Sequence, residues 1–139
     1  MTHIFTYGSL MFERIWSHVV QGNYEHQTGT LSGYVRRCIA NENYPAILPG
    51  LKSSKVEGVL YHNISSEDVI RLDSFEGSFY IRKPVRIQTD DNIFTADTYV
   101  LNDSYKQILT AKEWDPERFE KEGIEIFLER YFGFKVVKN

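Results

Sequence analysis

The sequence predicts an α+β domain in which short strands form a sheet or small barrel with helices packed against it. Three observations carry that prediction. Apolar segments of strand length cluster in the middle of the chain instead of alternating one-for-one with helices, as a doubly wound fold would require. Three segments show helical spacing or the chemistry of a helix start. No repeat, low-complexity stretch or Pro/Gly/Ser-rich linker divides the chain, so residues 1–139 read as one domain.

His3 to Thr6 is a short apolar strand that runs into Tyr7-Gly8-Ser9-Leu10, where the glycine signals a turn. From Phe12 to Val20, apolar residues at 12, 15, 16, 19 and 20 give the spacing of an amphipathic helix. Thr28 to Val35 and Cys38 to Ala40 are strand candidates, with Gly29 and Gly33 as bulge or turn positions. Tyr44-Pro45-Ala46-Ile47-Leu48-Pro49-Gly50 is an extended segment bracketed by prolines. Lys55 to Tyr61 alternates Val56, Gly58 and Leu60 with Val59 and Tyr61, a pattern expected to be buried on both faces. A helix follows. Ser65 is its N-cap, and Asp68 sits at the third helical position, where a carboxylate complements exposed N–H groups. Val69, Ile70, Leu72 and Phe75 form its apolar face, and Gly77 ends it. Tyr80 to Thr89 and Ile93 to Leu101 are two strands joined by Asp90-Asp91-Asn92 in a hairpin. Asp115-Pro116 opens the last helix, with Asp as N-cap and Pro pre-organised for the first helical position. It is expected to run to about Phe132 and close on Gly133.

Composition narrows the function. Hydrophobic residues make up 42% and charged residues 25% of the chain, the balance of an ordinary globular domain. With a net charge of −3 and no basic cluster larger than Arg36-Arg37, no nucleic-acid partner is expected. No run approaches the roughly 20 apolar residues that span a bilayer. The N-terminus has no basic stretch followed by an apolar one, so neither membrane insertion nor secretion is expected. One cysteine, Cys38, forms no internal disulfide and suits a reducing cytoplasm, the expected location. It reads as a small, semi-buried strand residue. The four histidines (His3, His18, His26, His62) have none of the short spacings of a zinc site, and no phosphate loop or dinucleotide fingerprint is present. No metal and no cofactor are therefore expected. Nine Tyr, nine Phe and two Trp exceed what a minimal core needs, so some should line a pocket. The sequence carries no signal for oligomeric state.

Two strings point to chemistry. Tyr7-Gly8-Ser9-Leu10 offers a glycine turn whose backbone N–H groups can face a ligand. Asp73-Ser74-Phe75-Glu76-Gly77 offers a carboxylate beside an aromatic ring and a glycine, a setting that can raise a pKa. Taken alone, the first is a strand-ending turn and the second a solvated helix end. Their company changes the reading. In order along the chain, Tyr7-Gly8-Ser9-Leu10, Tyr44-Pro45-Ala46-Ile47-Leu48-Pro49, Val56-Glu57-Gly58-Val59-Leu60-Tyr61, Leu72-Asp73-Ser74-Phe75-Glu76-Gly77 and Tyr80-x-Arg82 with Val85 resemble the AIG2-like branch of the γ-glutamylcyclotransferase-like family. The series covers roughly residues 4 to 101. Glu113-Trp114-Asp115-Pro116 is similar to plant-type members of the branch.

The resemblance implies a small mixed sheet closing into a barrel-like core with flanking helices. It also implies a cavity formed by the Tyr7-Gly8-Ser9-Leu10 loop and a catalytic glutamate, which maps onto Glu76. The implied reaction is cofactor-free release of 5-oxoproline from a small γ-glutamyl amine or γ-glutamyl amino acid, with related chemistry on larger amines as a further variant. Tyr80 or Arg82 would hold a substrate carboxylate; an exposed strand pair or cross-strand ion pair explains them equally. The alternative function is a non-catalytic small-molecule-binding or stress-related member that keeps the cavity.

Overall fold

The ten residues Lys55–Ile64, with the strand formers Val56, Val59, Tyr61 and Ile64 among them, make the longest strand and the centre of the architecture. The computed structural model describes residues 2–133. In chain order the strands are β1 (Thr2–Thr6), β2 (His26–Ser32), β3 (Tyr34–Ile39), β4 (Pro45–Pro49), β5 (Lys55–Ile64), β6 (Tyr80–Gln88), β7 (Ile93–Leu101) and β8 (Leu109–Glu113). The helices are α1 (Glu13–Val19), α2 (Ser66–Glu76) and a stretch over 116–133, here α3. In α3, ordinary helical turns alternate with wider π-type turns at Phe119–Gly123 and Glu129–Gly133.

Five strands close a barrel in the order β1-β5-β2-β6-β7, and a parallel contact between Ile4 of β1 and Asp97 of β7 completes the ring. A separate three-stranded sheet, β4-β3-β8, lies beside it. Phe5, Leu31, Val56, Leu60 and Ile87 belong to one buried cluster, built on barrel strands. Ile4, Ile15, Trp16, Leu72, Phe119 and Phe127 belong to a second, in which the three helices pack against β1. The mixed α+β fold with a barrel-like sheet is the one the sequence predicts. Among the described residues no helix is long and apolar enough to cross a membrane.

Several boundaries differ for physical reasons. The predicted strands Thr28 to Val35 and Cys38 to Ala40 are cut elsewhere: β2 ends at Ser32 and β3 begins at Tyr34. Gly33 between them adopts φ +83°, a turn only glycine enters freely, so the break falls there. Ile70 is 65% exposed and leaves the apolar face of α2. Asp68 is buried instead. Its carboxylate accepts hydrogen bonds from Gln21 N (3.0 Å), Gly22 N (2.9 Å), the Tyr24 hydroxyl (2.6 Å) and Arg71 (2.6 Å). Burial opposes that charge, but these donors win and bring the carboxyl down to about 2. On β5, Lys55 and Glu57 are exposed, so burial on both faces holds only towards its second half. The stretch 102–113, which carries no sequence signal, forms a 3-10 turn and β8. The Ser65 and Asp115 caps both form, accepting from Asp68 N and Glu117 N. Closure of α3 after Gly133 lies outside the described residues.

Candidate active site

The strand β1 ends at the barrel rim, and its continuation, Tyr7 to Leu10, turns through one 3-10 step, with Met11 N bonding to Gly8 O at 3.0 Å. All four residues are buried. Among the described residues, none accepts a hydrogen bond from the N–H of Gly8, Ser9 or Leu10. Buried backbone donors are nearly always paired, so three in a row call for a partner beyond the described residues. They line a cavity of about 200 Å³ together with Glu76 and Tyr80. The Leu10 side chain packs into the helix-facing core; its contribution to the cavity is its backbone.

Gly8 is required by a neighbour. Its φ of −128° is not a left-handed value, and a Cβ there would lie 2.9 Å from Cδ and 3.0 Å from Cγ of Pro45. The close approach expected towards a ligand is therefore first an approach to Pro45, which explains why the two separate strings occur together. On the far side of the loop, Arg36 lies over the Trp114 ring at 5.3 Å. Its Nη1 donates to the carbonyls of Tyr7 (2.8 Å) and Glu57 (3.2 Å). The Tyr7 carbonyl and the Gly8 N–H are one peptide group, so this guanidinium both orients and polarises the first free donor.

Glu76 occupies the last turn of α2, with Gly77 (φ +74°) closing the helix behind it. No described residue donates a hydrogen bond to its carboxyl. Burial first, and the charge of Asp73 one turn back second, push that carboxyl up to about 8. The C-terminal end of a helix also disfavours a carboxylate. Asp73 itself is held firmly. Arg82 donates to it through Nε (2.9 Å) and Nη2 (3.3 Å), and the Tyr99 hydroxyl donates at 2.6 Å. Arg82 also donates to Asp97 at 2.6 Å. These groups meet because Arg82 and Tyr99 face each other across β6 and β7, with Asp97 two residues along β7.

The residues singled out in the sequence are thus brought together in part. Tyr7, Gly8, Ser9, Leu10, Glu76 and Tyr80 all border one cavity. Arg82 does not. It stands behind Asp73 with its donors spent on two carboxylates, the cross-strand ion pair that its sequence position equally allowed. The phenol protons of Tyr7 and Tyr80 are likewise spent, on Tyr99 O (2.5 Å) and Pro45 O (2.7 Å). Burial and the nearby Glu76 push both phenols up, so they stay neutral. Sequence reasoning gave no role to Asp73, Tyr99, Asp97 or Arg36. It also missed the rings of Phe127 and Tyr131, which wall the cavity beside Tyr44. Cys38 is a half-buried β3 residue whose Sγ faces the Glu113 carbonyl.

The family model described as gamma-glutamyl cyclotransferase, AIG2-like, matches residues 4–116. The chain is 30% identical over 127 residues to AIG2-like protein C of Arabidopsis thaliana, covering 90% of this chain and 73% of that protein. A solution structure of an Arabidopsis thaliana protein superimposes with a TM-score of 0.71 at 25% identity, covering 99% of this chain and 84% of the other. An AIG2-like protein of Mus musculus, at 18% identity and TM-score 0.63 over 84% of this chain and 96% of its own, shares the fold.

Proposed function

The chain belongs to the AIG2-like gamma-glutamyl cyclotransferase family, and we infer that it is a cyclotransferase-type enzyme. On that premise we propose that it releases 5-oxoproline from a γ-glutamyl amine or γ-glutamyl amino acid, with Glu76 as the proton carrier. The observation that carries this reading is one carboxyl, unpaired and lifted to about 8, on the same cavity as three buried, unpaired N–H groups.

The substrate supplies its own nucleophile. Its α-amine attacks the γ-carbonyl carbon, a new C–N bond closes a five-membered lactam, and the amide C–N bond breaks to free the second amine. Such oriented intramolecular attack reaches effective molarities of about 10⁵–10⁸ M. No serine or cysteine nucleophile is needed. Two protons leave the α-ammonium nitrogen, one before attack and one from the tetrahedral intermediate, and Glu76 carries each to the departing nitrogen, which leaves as an ammonium, so no net proton or water is consumed. A shuttle of this kind contributes typically about 10²–10⁴-fold.

The raised pKa matters for that first transfer. An α-ammonium has a pKa of about 8 and an ordinary glutamate about 4.3, so the transfer would run uphill by roughly 5 kcal/mol. At about 8 the donor and acceptor are matched and the step is nearly level. The Gly8, Ser9 and Leu10 donors suit the developing oxyanion or the substrate α-carboxylate; one oxyanion donor is typically worth about 2.7–4 kcal/mol. The Arg82–Asp73–Tyr99 group holds the negative charge beside Glu76 in place. A cavity of about 200 Å³ matches a substrate of glutamyl size with part of its leaving group.

Wild-type protein incubated with γ-glutamyl amines, γ-glutamyl amino acids and glutathione tests the reading. The expected result is 5-oxoproline and free amine in equal amounts from at least one compound. Binding of these compounds without product would replace the enzyme reading with that of a binding protein.

A further inference from the structure

We infer, resting on the cyclotransferase reading, that the cavity carries an aryl subsite and that the leaving group is an amine bearing an aryl group and no carboxylate. Both polar ends of the glutamyl unit already have partners: Glu76 for the α-amine, and the N–H groups of Gly8, Ser9 and Leu10 for its oxygens. Much of the remaining wall is aromatic, and four of its rings come from three separate segments. Tyr44 precedes β4, Phe75 lies on α2, and Phe127 and Tyr131 lie on α3.

These rings form one surface. Phe127 and Tyr131 stack at 4.4 Å between centroids, and Tyr44 meets both nearly edge-on at 6.1 and 5.9 Å. Phe75 meets Phe127 at 6.0 Å. The polar tips of the two tyrosines are engaged at the rim. The Tyr131 hydroxyl donates to Glu42 at 3.1 Å, and the Tyr44 phenol is pushed up by burial and by Tyr131 and Glu42. Glu42 in turn pairs with Arg130 at 3.0 Å, so its charge is answered outside the cavity. Rings meeting in edge and offset contacts accept a further aryl group in the same geometry.

Charge excludes the other leaving groups. Among the described residues lining the cavity there is no Lys, Arg or His, and Glu76 is the one acid. A leaving amino acid would bring a second carboxylate to a wall with no cation, where an unpaired charge is costly. A leaving group with its own ammonium would compete for Glu76 with the amine that must react. A neutral aryl tail meets neither difficulty.

The test compares kcat/KM for γ-glutamyl-2-phenylethylamide, γ-glutamyl-n-propylamide and γ-glutamyl-phenylalanine, followed by 5-oxoproline release. The phenylethylamide should lead each of the others by about tenfold or more, the scale on which one pocket contact discriminates. Tyr131→Ala should bring the phenylethylamide-to-propylamide ratio towards one, and Tyr131→Leu should restore it in part. Because both rates scale with the folded fraction, that ratio is blind to a loss of stability. Release in which phenylalanine or propylamine leaves as readily as phenylethylamine, or a ratio unmoved in Tyr131→Ala, overturns the aryl subsite alone. Release from none of the three but from another γ-glutamyl compound likewise overturns the aryl subsite alone, whereas release from no γ-glutamyl compound overturns the cyclotransferase reading and this inference with it.

Discussion

Replacing Glu76 by glutamine keeps the size and polarity of the side chain and removes one ionisation, which makes stability as a function of pH a direct readout of how this carboxyl sits. In the folded protein it titrates near 8, against an ordinary value of 4.5. Below pH 4.5 both folded and unfolded chains hold the proton and the group has no effect. Between 4.5 and 8 the unfolded chain releases the proton while the folded chain keeps it, so stability falls with rising pH and levels off above 8. The penalty reaches roughly 3 kcal/mol at pH 7 and nearer 5 at pH 9, taking about 1.36 kcal/mol per pH unit. Glu76→Gln carries none of it. Urea melts of both proteins at pH 4, 5, 7 and 9 should therefore diverge: whatever fixed offset the amide brings at pH 4, the variant should gain about 3 kcal/mol on the wild type by pH 7. Parallel curves from pH 4 to 9 would refute the reasoning, because they would mean that the carboxyl titrates as an exposed one. The same result would remove the matched proton transfer on which the proposed chemistry rests.

Asp73→Asn deletes the charge that helps hold the Glu76 proton, so the rising limb of kcat/KM against pH should move to lower pH by about one unit; an unmoved limb would separate Asp73 from the site. Asp68→Asn should lower stability at pH 7 by roughly 2–3 kcal/mol in urea, since a depressed pKa contributes stability present above the ordinary value of 3.8 and lost as pH falls towards 2. A loss below about 0.5 kcal/mol, within the range of ordinary surface changes, would contradict the four-donor arrangement. Arg36→Ala removes the guanidinium from the Tyr7 carbonyl and should reduce kcat/KM by roughly 10–100-fold, the worth of a charge-assisted hydrogen bond, with partial recovery in Arg36→Lys. Equal activity in all three proteins would show that the loop orients itself.

Local chemistry made much of the fold and site legible. Capping at Ser65 and Asp115, the helical spacing of α1 and the hairpin around Asp90-Asp91-Asn92 each depend on neighbours in sequence, and each forms as read. The Gly8 and Glu76 strings were visible for the same reason. Asp73 was also within reach: it precedes Glu76 by three residues, so both lie on one helical face. Even the Arg82–Tyr99 pairing follows from the hairpin once its turn is fixed, although the choice of Asp73 and Asp97 as partners does not. What stayed hidden depends on contacts between distant segments. The exposure of Ile70 and the burial of Asp68 arise because the α1–β2 loop folds over α2, and no periodicity reports that. Arg36 reaches Tyr7 only through the separate β4-β3-β8 sheet. The ring wall joins Tyr44 to Phe127 and Tyr131, more than eighty residues away, and in sequence such rings cannot be told from ordinary core.

The central claim is that one proton carrier, Glu76, turns over a γ-glutamyl substrate. It is tested most directly by 5-oxoproline release from the best substrate, comparing wild type with Glu76→Gln at pH 8 where both are folded. The account predicts release by the wild type and a loss of about 10²-fold or more in the variant, the scale of a missing acid–base group. Equal release by both proteins would contradict it and move the chemistry away from Glu76.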